Sequence, residues 1–233
     1  MRRMAELAKP ELHVRTLWSL DCAEGLRLQE RLRNECIASE GRRGHLLLVS
    51  HPHTITVGLS GDYSDVLAAQ ERLSELGVTV AETNRGGKVT YHGPGQLVAY
   101  PIVSLAGRGR DIHRYLRDLE AWLVRLCRSY GVAAHADSAH TGVWVADRKI
   151  ASIGVAVRRW VTYHGAALNV STDLSYFDLI VPCGLRGVAM TSLQKELGTA
   201  PPLEEVAERA AQYFAEDFGM KLERAKCEAV GTA

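Results

Sequence analysis

A chain of 233 residues that is 46% hydrophobic is long enough to bury one sizeable core and too short for several. With a formal net charge of +1 and no long run of like charges, it offers neither nucleic acid nor an anionic membrane an obvious footing, and no apolar stretch reaches the roughly twenty residues that span a bilayer. The first ten residues lack an apolar secretory core, and five cysteines without a C-x-x-C make no disulfide framework, so the expected compartment is the reducing cytoplasm.

In chain order, apolar spacing predicts a helix over 23–38, with Leu26, Leu32, Cys36 and Ile37 on its inner face, then strands over 45–50 and 54–58. A helix over 64–76 stopped by Gly77 and a strand over 78–82 follow. Residues 85–96 read as a loop, because four glycines within ten residues are poor strand or helix material. A strand over 96–104 leads to a strongly amphipathic helix over 111–130, closed by Gly131. The turn Asp147-Arg148 joins strands 141–146 and 149–157 into an antiparallel hairpin that 161–170 extends, and a last helix runs from Pro202 to Gly219. Regular strand–helix alternation is absent, which predicts an α/β (α+β) fold with a mixed, largely antiparallel sheet and packed helices.

The loop Arg85-Gly86-Gly87-Lys88-Val89-Thr90-Tyr91-His92-Gly93-Pro94-Gly95-Gln96 combines glycines with a guanidinium, an imidazole and a hydroxyl, which points to ligand binding. No phosphate loop, dinucleotide fingerprint or serine-hydrolase elbow occurs. Cys183, held between Pro182 and Gly184, suits a nucleophile, whereas Cys36 and Cys127 read as buried thiols on helix faces and Cys22 has no assignable role. A thiol needs a neighbouring base or cation. Lys149, opening an otherwise nearly uncharged strand, is the candidate, against the simpler reading of a solvated turn lysine. Ser152, Gly154, Gly165, Ala166 and Ala167 leave room on adjacent strands for a slender ligand, or mark close packing. His92 and His164 read as scaffold, and His51-Pro52-His53 lacks a third ligand for a metal.

The stretch 85–100, together with Lys149-Ile150-Ala151-Ser152-Ile153-Gly154, His164-Gly165-Ala166-Ala167-Leu168-Asn169-Val170 and Val181-Pro182-Cys183-Gly184, closely resembles the lipoyl(octanoyl) transferases in motif type and order. The resemblance implies a biotin/lipoate protein ligase-like fold over 15–220, with 1–14 as an N-terminal extension and 221–233 as a tail. It implies transfer of an octanoyl group from acyl carrier protein to a lysine of lipoyl domains, in dehydrogenase E2 subunits or the glycine-cleavage H protein, without cofactor or metal. By the same resemblance Cys183 carries the acyl thioester, Lys149 activates it, and Arg85, Gly86, Gly87, Lys88, Val89, Thr90, Tyr91, His92, Ser152, Ile153, Gly154, Gly165, Ala166 and Ala167 line the acyl pocket. An ATP-dependent ligase shares that fold, and Gly107-Arg108-Gly109-Arg110 faintly resembles a biotin ligase loop, but a ligase has no use for Cys183. A silent acyl-binding module is the remaining alternative. Arg42, Arg43, Arg108, Arg110, Arg158, Arg159 and Arg186 are expected to form a rim for the acidic carrier.

Overall fold

The computed structural model describes residues 9–184 and 187–224, with backbone alone at Cys183 and Arg224. The elements run β1 (Glu11–Leu17), α1 (Cys22–Ala38), β2 (Arg43–Val49), β3 (Thr54–Val57), α2 (Gln70–Glu75), β4 (Thr79–Glu82), β5 (Val89–His92) and β6 (Gln96–Ile102). They continue α3 (Ile112–Arg128), β7 (His135–Ala136), β8 (Val143–Val145), β9 (Arg148–Arg158), β10 (Val161–Asn169), α4 (Leu193–Leu197), α5 (Leu203–Asp217) and β11 (Lys221–Arg224).

Eight strands form one sheet in the order β11-β1-β2-β6-β10-β9-β8-β7; β11, β1 and β2 run parallel to one another and the remaining pairs, β2–β6 included, are antiparallel. The mixed, largely antiparallel sheet is therefore as expected. Its central strands are buried on both faces, and side-chain alternation divides them between two helical layers. Leu46, Leu48, Leu97 and Ala99 pack with α3 and α5, where the Trp122 indole N–H donates to Ala210 O at 3.0 Å. Leu47, Val49, Val98 and Tyr100 face α1 through Leu32 and Cys36. Asp21 caps α1 by accepting from the Ala23 and Glu24 amides, and Asp111 caps α3 through Arg114 N. Burial raises the thiol of Cys36 to about 11 and that of Cys127 to about 12, which fits core cysteines.

Three features depart from the sequence reading. The expected helix over 64–76 breaks into a 3-10 turn, Tyr63–Asp65, and the short α2, because Val66 bridges Ile180 and the Leu67 amide donates to Leu179 O. The glycine-rich stretch is not all loop: Val89–His92 is a strand, paired antiparallel with β3, which pairs on its other side with β4 in a separate three-stranded sheet. The boundaries at 14/15 and 220/221 cut through ordered structure, since β1 pairs with β11 from Glu11↔Lys221 and with β2 over its full length. Residues 1–8 and 225–233 of the expected extension and tail lie outside the described residues. Among the described residues no helix is long and apolar enough to cross a membrane, and no group of three or more His, Cys, Asp or Glu is placed to hold a metal ion.

Candidate active site

The segment 85–88 leaves β4 and crosses over β9. Its anchor is Arg85, a mostly buried guanidinium whose Nη2 donates to Thr56 O at 2.7 Å and to Thr56 Oγ1 at 2.8 Å, while Nη1 donates to Gly86 O at 3.2 Å. The Gly86 amide donates to Val155 O at 2.9 Å, drawing the loop onto the strand. That approach requires glycine at 154, where a Cβ would stand 2.8 Å from Gly86 O. Gly165 serves a similar end, because a Cβ there would collide with the Ala99 carbonyl of the neighbouring strand. The space these two glycines leave is thus filled in part by backbone.

Beneath this crossing lies a cavity of about 610 Å3, its open mouth included, between α1, the large sheet and the small sheet. Of the expected pocket residues, Arg85, Gly87, Lys88, Thr90, His92, Ser152, Ile153, Gly154, Gly165, Ala166 and Ala167 line it. Gly86, Val89 and Tyr91 do not. On β5 alternate side chains face opposite ways, so Thr90 and His92 reach the cavity while Val89 and Tyr91 pack with Ile55 and Phe177 under the small sheet. The sequence reading left out Cys22, Leu26 and Gln29 of α1, along with Thr56, Thr83, Val98, Tyr100 and His164. The spacing i, i+4, i+7 of the three α1 residues was the available signal.

Apart from Arg85 and Lys88, the polar groups of the wall are neutral. His92 donates from Nδ1 to Gln96 Oε1 at 2.7 Å, and Gln96 in turn donates to Asn169 Oδ1 at 2.9 Å; burial, then His51, pushes the His92 imidazole down to about 3. His164 donates from Nε2 to Asn84 Oδ1 at 2.7 Å and is pushed down to about 4 by burial, then by Arg85 and Arg33. His51 donates to Leu20 O and accepts from the Tyr100 hydroxyl at 2.7 Å, and burial lowers its pKa. All three imidazoles are committed to hydrogen bonds within the fold. Beside Arg85 and Lys88, the neutral dipoles and small apolar groups of the wall suit an uncharged chain.

Lys149 stands near the start of β9 and is 2% exposed, which removes the reading of a solvated turn lysine. Its Nζ lies 5.3 Å from the centre of the Trp144 ring, and its stem fits only because residue 142 is glycine, where a Cβ would come within 2.6 Å of Lys149 Cε. Gly142 is held in turn by Glu120, fully buried, whose Oε1 accepts from the Gly142 amide at 2.9 Å and whose Oε2 pairs with Arg117 at 2.6 Å. The Lys149 amide donates to Ala189 O and its carbonyl accepts from Thr191 N, both at 2.9 Å, so the chain returning from Cys183 runs beside Lys149. Cys183 itself lies in the 3-10 turn Pro182–Gly184.

That turn adjoins the cavity. A Cβ at Gly184 would sit 2.5 Å from Lys88 Cδ and 2.7 Å from Lys88 Nζ, and Lys88 is also a cavity residue. The expected arginine rim is elsewhere. Arg158 ends β9 about 30 Å from Lys149 at ~3.3 Å per residue, and Arg159 follows it in the turn. The His45↔Ile102 register, the Ser104↔Val161 bridge and the Leu105 amide bond to Trp160 O bring Arg42, Arg43, Arg108 and Arg110 to that same far end. Arg186 lies outside the described residues.

Comparison with known proteins agrees with this arrangement. The family model described as lipoyl protein ligase A/B catalytic domain matches residues 21–215. A protein named octanoyltransferase from Solibacter usitatus is 47% identical over 90% of this chain and 94% of its own, and one from Caldicellulosiruptor saccharolyticus is 44% identical over 91% and 90%. Among solved structures, lipoate-protein ligase A bound with ATP superposes with a TM-score of 0.74 at 18% identity, covering 94% of this chain and 90% of its own, a likeness of fold. The chain thus belongs to the lipoyl protein ligase A/B catalytic-domain family, alongside its octanoyltransferases, and is an acyltransferase.

Proposed function

We propose that the chain moves an octanoyl group from the phosphopantetheine thioester of acyl carrier protein to a lysine amine on a lipoyl domain, of an E2 subunit or of the glycine-cleavage H protein, through a thioester on Cys183. The observation that carries this reading is the position of Lys88, which lines the cavity and lies along Gly184, joining the chain-binding space to the turn that bears the cysteine. In the first step the Cys183 thiolate attacks the donor carbonyl and the phosphopantetheine thiolate leaves, taking a proton. In the second the acceptor amine attacks the new thioester, the amide forms, and the cysteine sulfur regains its proton. Lys149 favours the thiolate in the first step and takes the amine proton in the second. Exchange of one thioester for another is nearly balanced and amide formation is downhill, so ATP has no part. The Gly184 amide donates to Val181 O at 3.2 Å, so it is committed within the turn and is a poor oxyanion donor. Burying about six methylenes at ~0.8 kcal/mol each supplies roughly 5 kcal/mol of chain binding.

Incubation with octanoyl-acyl carrier protein, without acceptor and without ATP, is expected to add one octanoyl mass that hydroxylamine removes. Formation of the adduct only with added ATP would overturn the reading in favour of a ligase. A second expectation concerns the loop crossing. Gly154→Ala should displace the Gly86 carbonyl and lower transfer by about ten-fold or more, at a stability cost of about 1–3 kcal/mol that leaves the protein folded. Transfer rate and thermal unfolding measured together check this; an unchanged rate would remove the close approach from the site.

A further inference from the structure

Along β9 the strand register supplies a direction. Lys149 stands at one end, Ser152 to Gly154 border the cavity, and Ala156 pairs with Tyr163 of β10 beyond them. At about 3.3 Å per residue, the distance from Lys149 to Ala156 is roughly 23 Å. Tyr163 lines a second depression, an open groove shared with Arg27 and Glu30 of α1 and with Glu82 and Asn84. Leu26 and Thr83 border both spaces. The cavity and the groove therefore adjoin at Leu26 and Thr83, on the side away from Lys149, and the groove is the larger of the two, about 820 Å3 against about 610 Å3 with open sides included.

We propose that Leu26 and Thr83 form an open far gate, so that the site takes straight acyl chains longer than octanoyl, their terminal carbons lying in the groove beside Tyr163. This inference rests on the acyl-transfer reading and adds the substrate range of the same site. Beyond the gate the walls are charged and solvated: Arg27 is exposed and the Glu30 side chain is 59% exposed. Terminal methylenes there lose little water contact, so they gain little affinity; nor do they meet a wall. The dependence on chain length should rise up to the gate and then level off, and a terminal hydroxyl on a long chain should be tolerated. A blind cavity would behave differently, because a chain too long for it overpacks the end and loses about ten-fold or more in rate.

The test compares octanoyl-, decanoyl- and dodecanoyl-acyl carrier protein as donors to a lipoyl domain, with wild type and Glu30→Trp. Glu30 lines only the groove, so the indole fills the exit and leaves the cavity untouched. Wild type is expected to transfer dodecanoyl within about three-fold of octanoyl, and Glu30→Trp to lose dodecanoyl transfer by about ten-fold while retaining octanoyl transfer, as a gate blocked by overpacking would. Circular dichroism confirms that the variant is folded. Wild-type rejection of dodecanoyl overturns the open gate, and so does a Glu30→Trp variant that treats all three donors as wild type does. Failure of wild type with octanoyl itself would strike the functional reading, and the two failures are thereby told apart.

Discussion

Cys183→Ala is expected to abolish both the octanoyl adduct and transfer to the acceptor, with a loss on the order of 10⁴-fold or more, because it removes the thiol to which the proposed mechanism assigns the covalent step. Among the described residues the other three cysteines are not expected to compensate. Cys36 and Cys127 are buried with raised thiol pKa values, and burial also raises that of Cys22, which lines the cavity, so all three remain protonated. Lys149→Met keeps the buried volume and removes the amine, and should slow acylation by about 10²- to 10⁴-fold without removing the sulfur. Its rate should recover as pH rises toward the ordinary thiol range near ~8.5, where hydroxide replaces the missing base. Intact mass against time for the two variants, at several pH values, measures these effects. An adduct that persists on Cys183→Ala would require another nucleophile, and a Lys149→Met variant with wild-type rate and pH profile would remove Lys149 from the chemistry.

The second large effect is acid lability. His92 is held down to about 3, and His45 and His164 to about 4, in each case first by burial; for His45 the cations at His13, Arg15 and Arg43 add to it. Glu35 lies 3.5 Å from His45 Nε2 and pulls the other way, but its side chain is 43% exposed and screened, so burial prevails. A folded pKa below the unfolded value of about 6.5 means that the unfolded chain binds protons first, so the stability contributed by each neutral imidazole is present above about pH 6.5 and is lost as pH falls toward 4. Between pH 7 and pH 5 the loss is about 2 kcal/mol per histidine, or about 5–6 kcal/mol for the three, a large part of a typical domain's stability. Urea unfolding at the two pH values checks this. His45→Gln, remote from the cavity, should remove about one third of the slope. Equal stability at pH 7 and pH 5 would show that the imidazoles titrate within the fold.

The sequence by itself determined most of the secondary structure and pointed to the candidate site. The long helices, the β8–β9–β10 hairpin series and the mixed sheet follow from apolar period and turn residues, which act locally. The glycine-dense loop, Lys149 and Cys183 stand out because their residue types have few structural uses in those contexts. β1 was legible in principle, since Leu12 and Val14 alternate with Glu11, His13 and Arg15, but its pairing with β11 joins residues more than two hundred positions apart. Only the tertiary structure decided what each residue faces. It divided 89–92 between cavity and core by strand alternation, filled the space beside Gly154 with the Gly86 carbonyl, and brought α1 over the sheet as a cavity wall. It also buried Lys149 beside the returning strand and sent the arginines to the far end of the sheet. These outcomes depend on register and on packing between segments distant in the chain, and composition and local period carry no information about either.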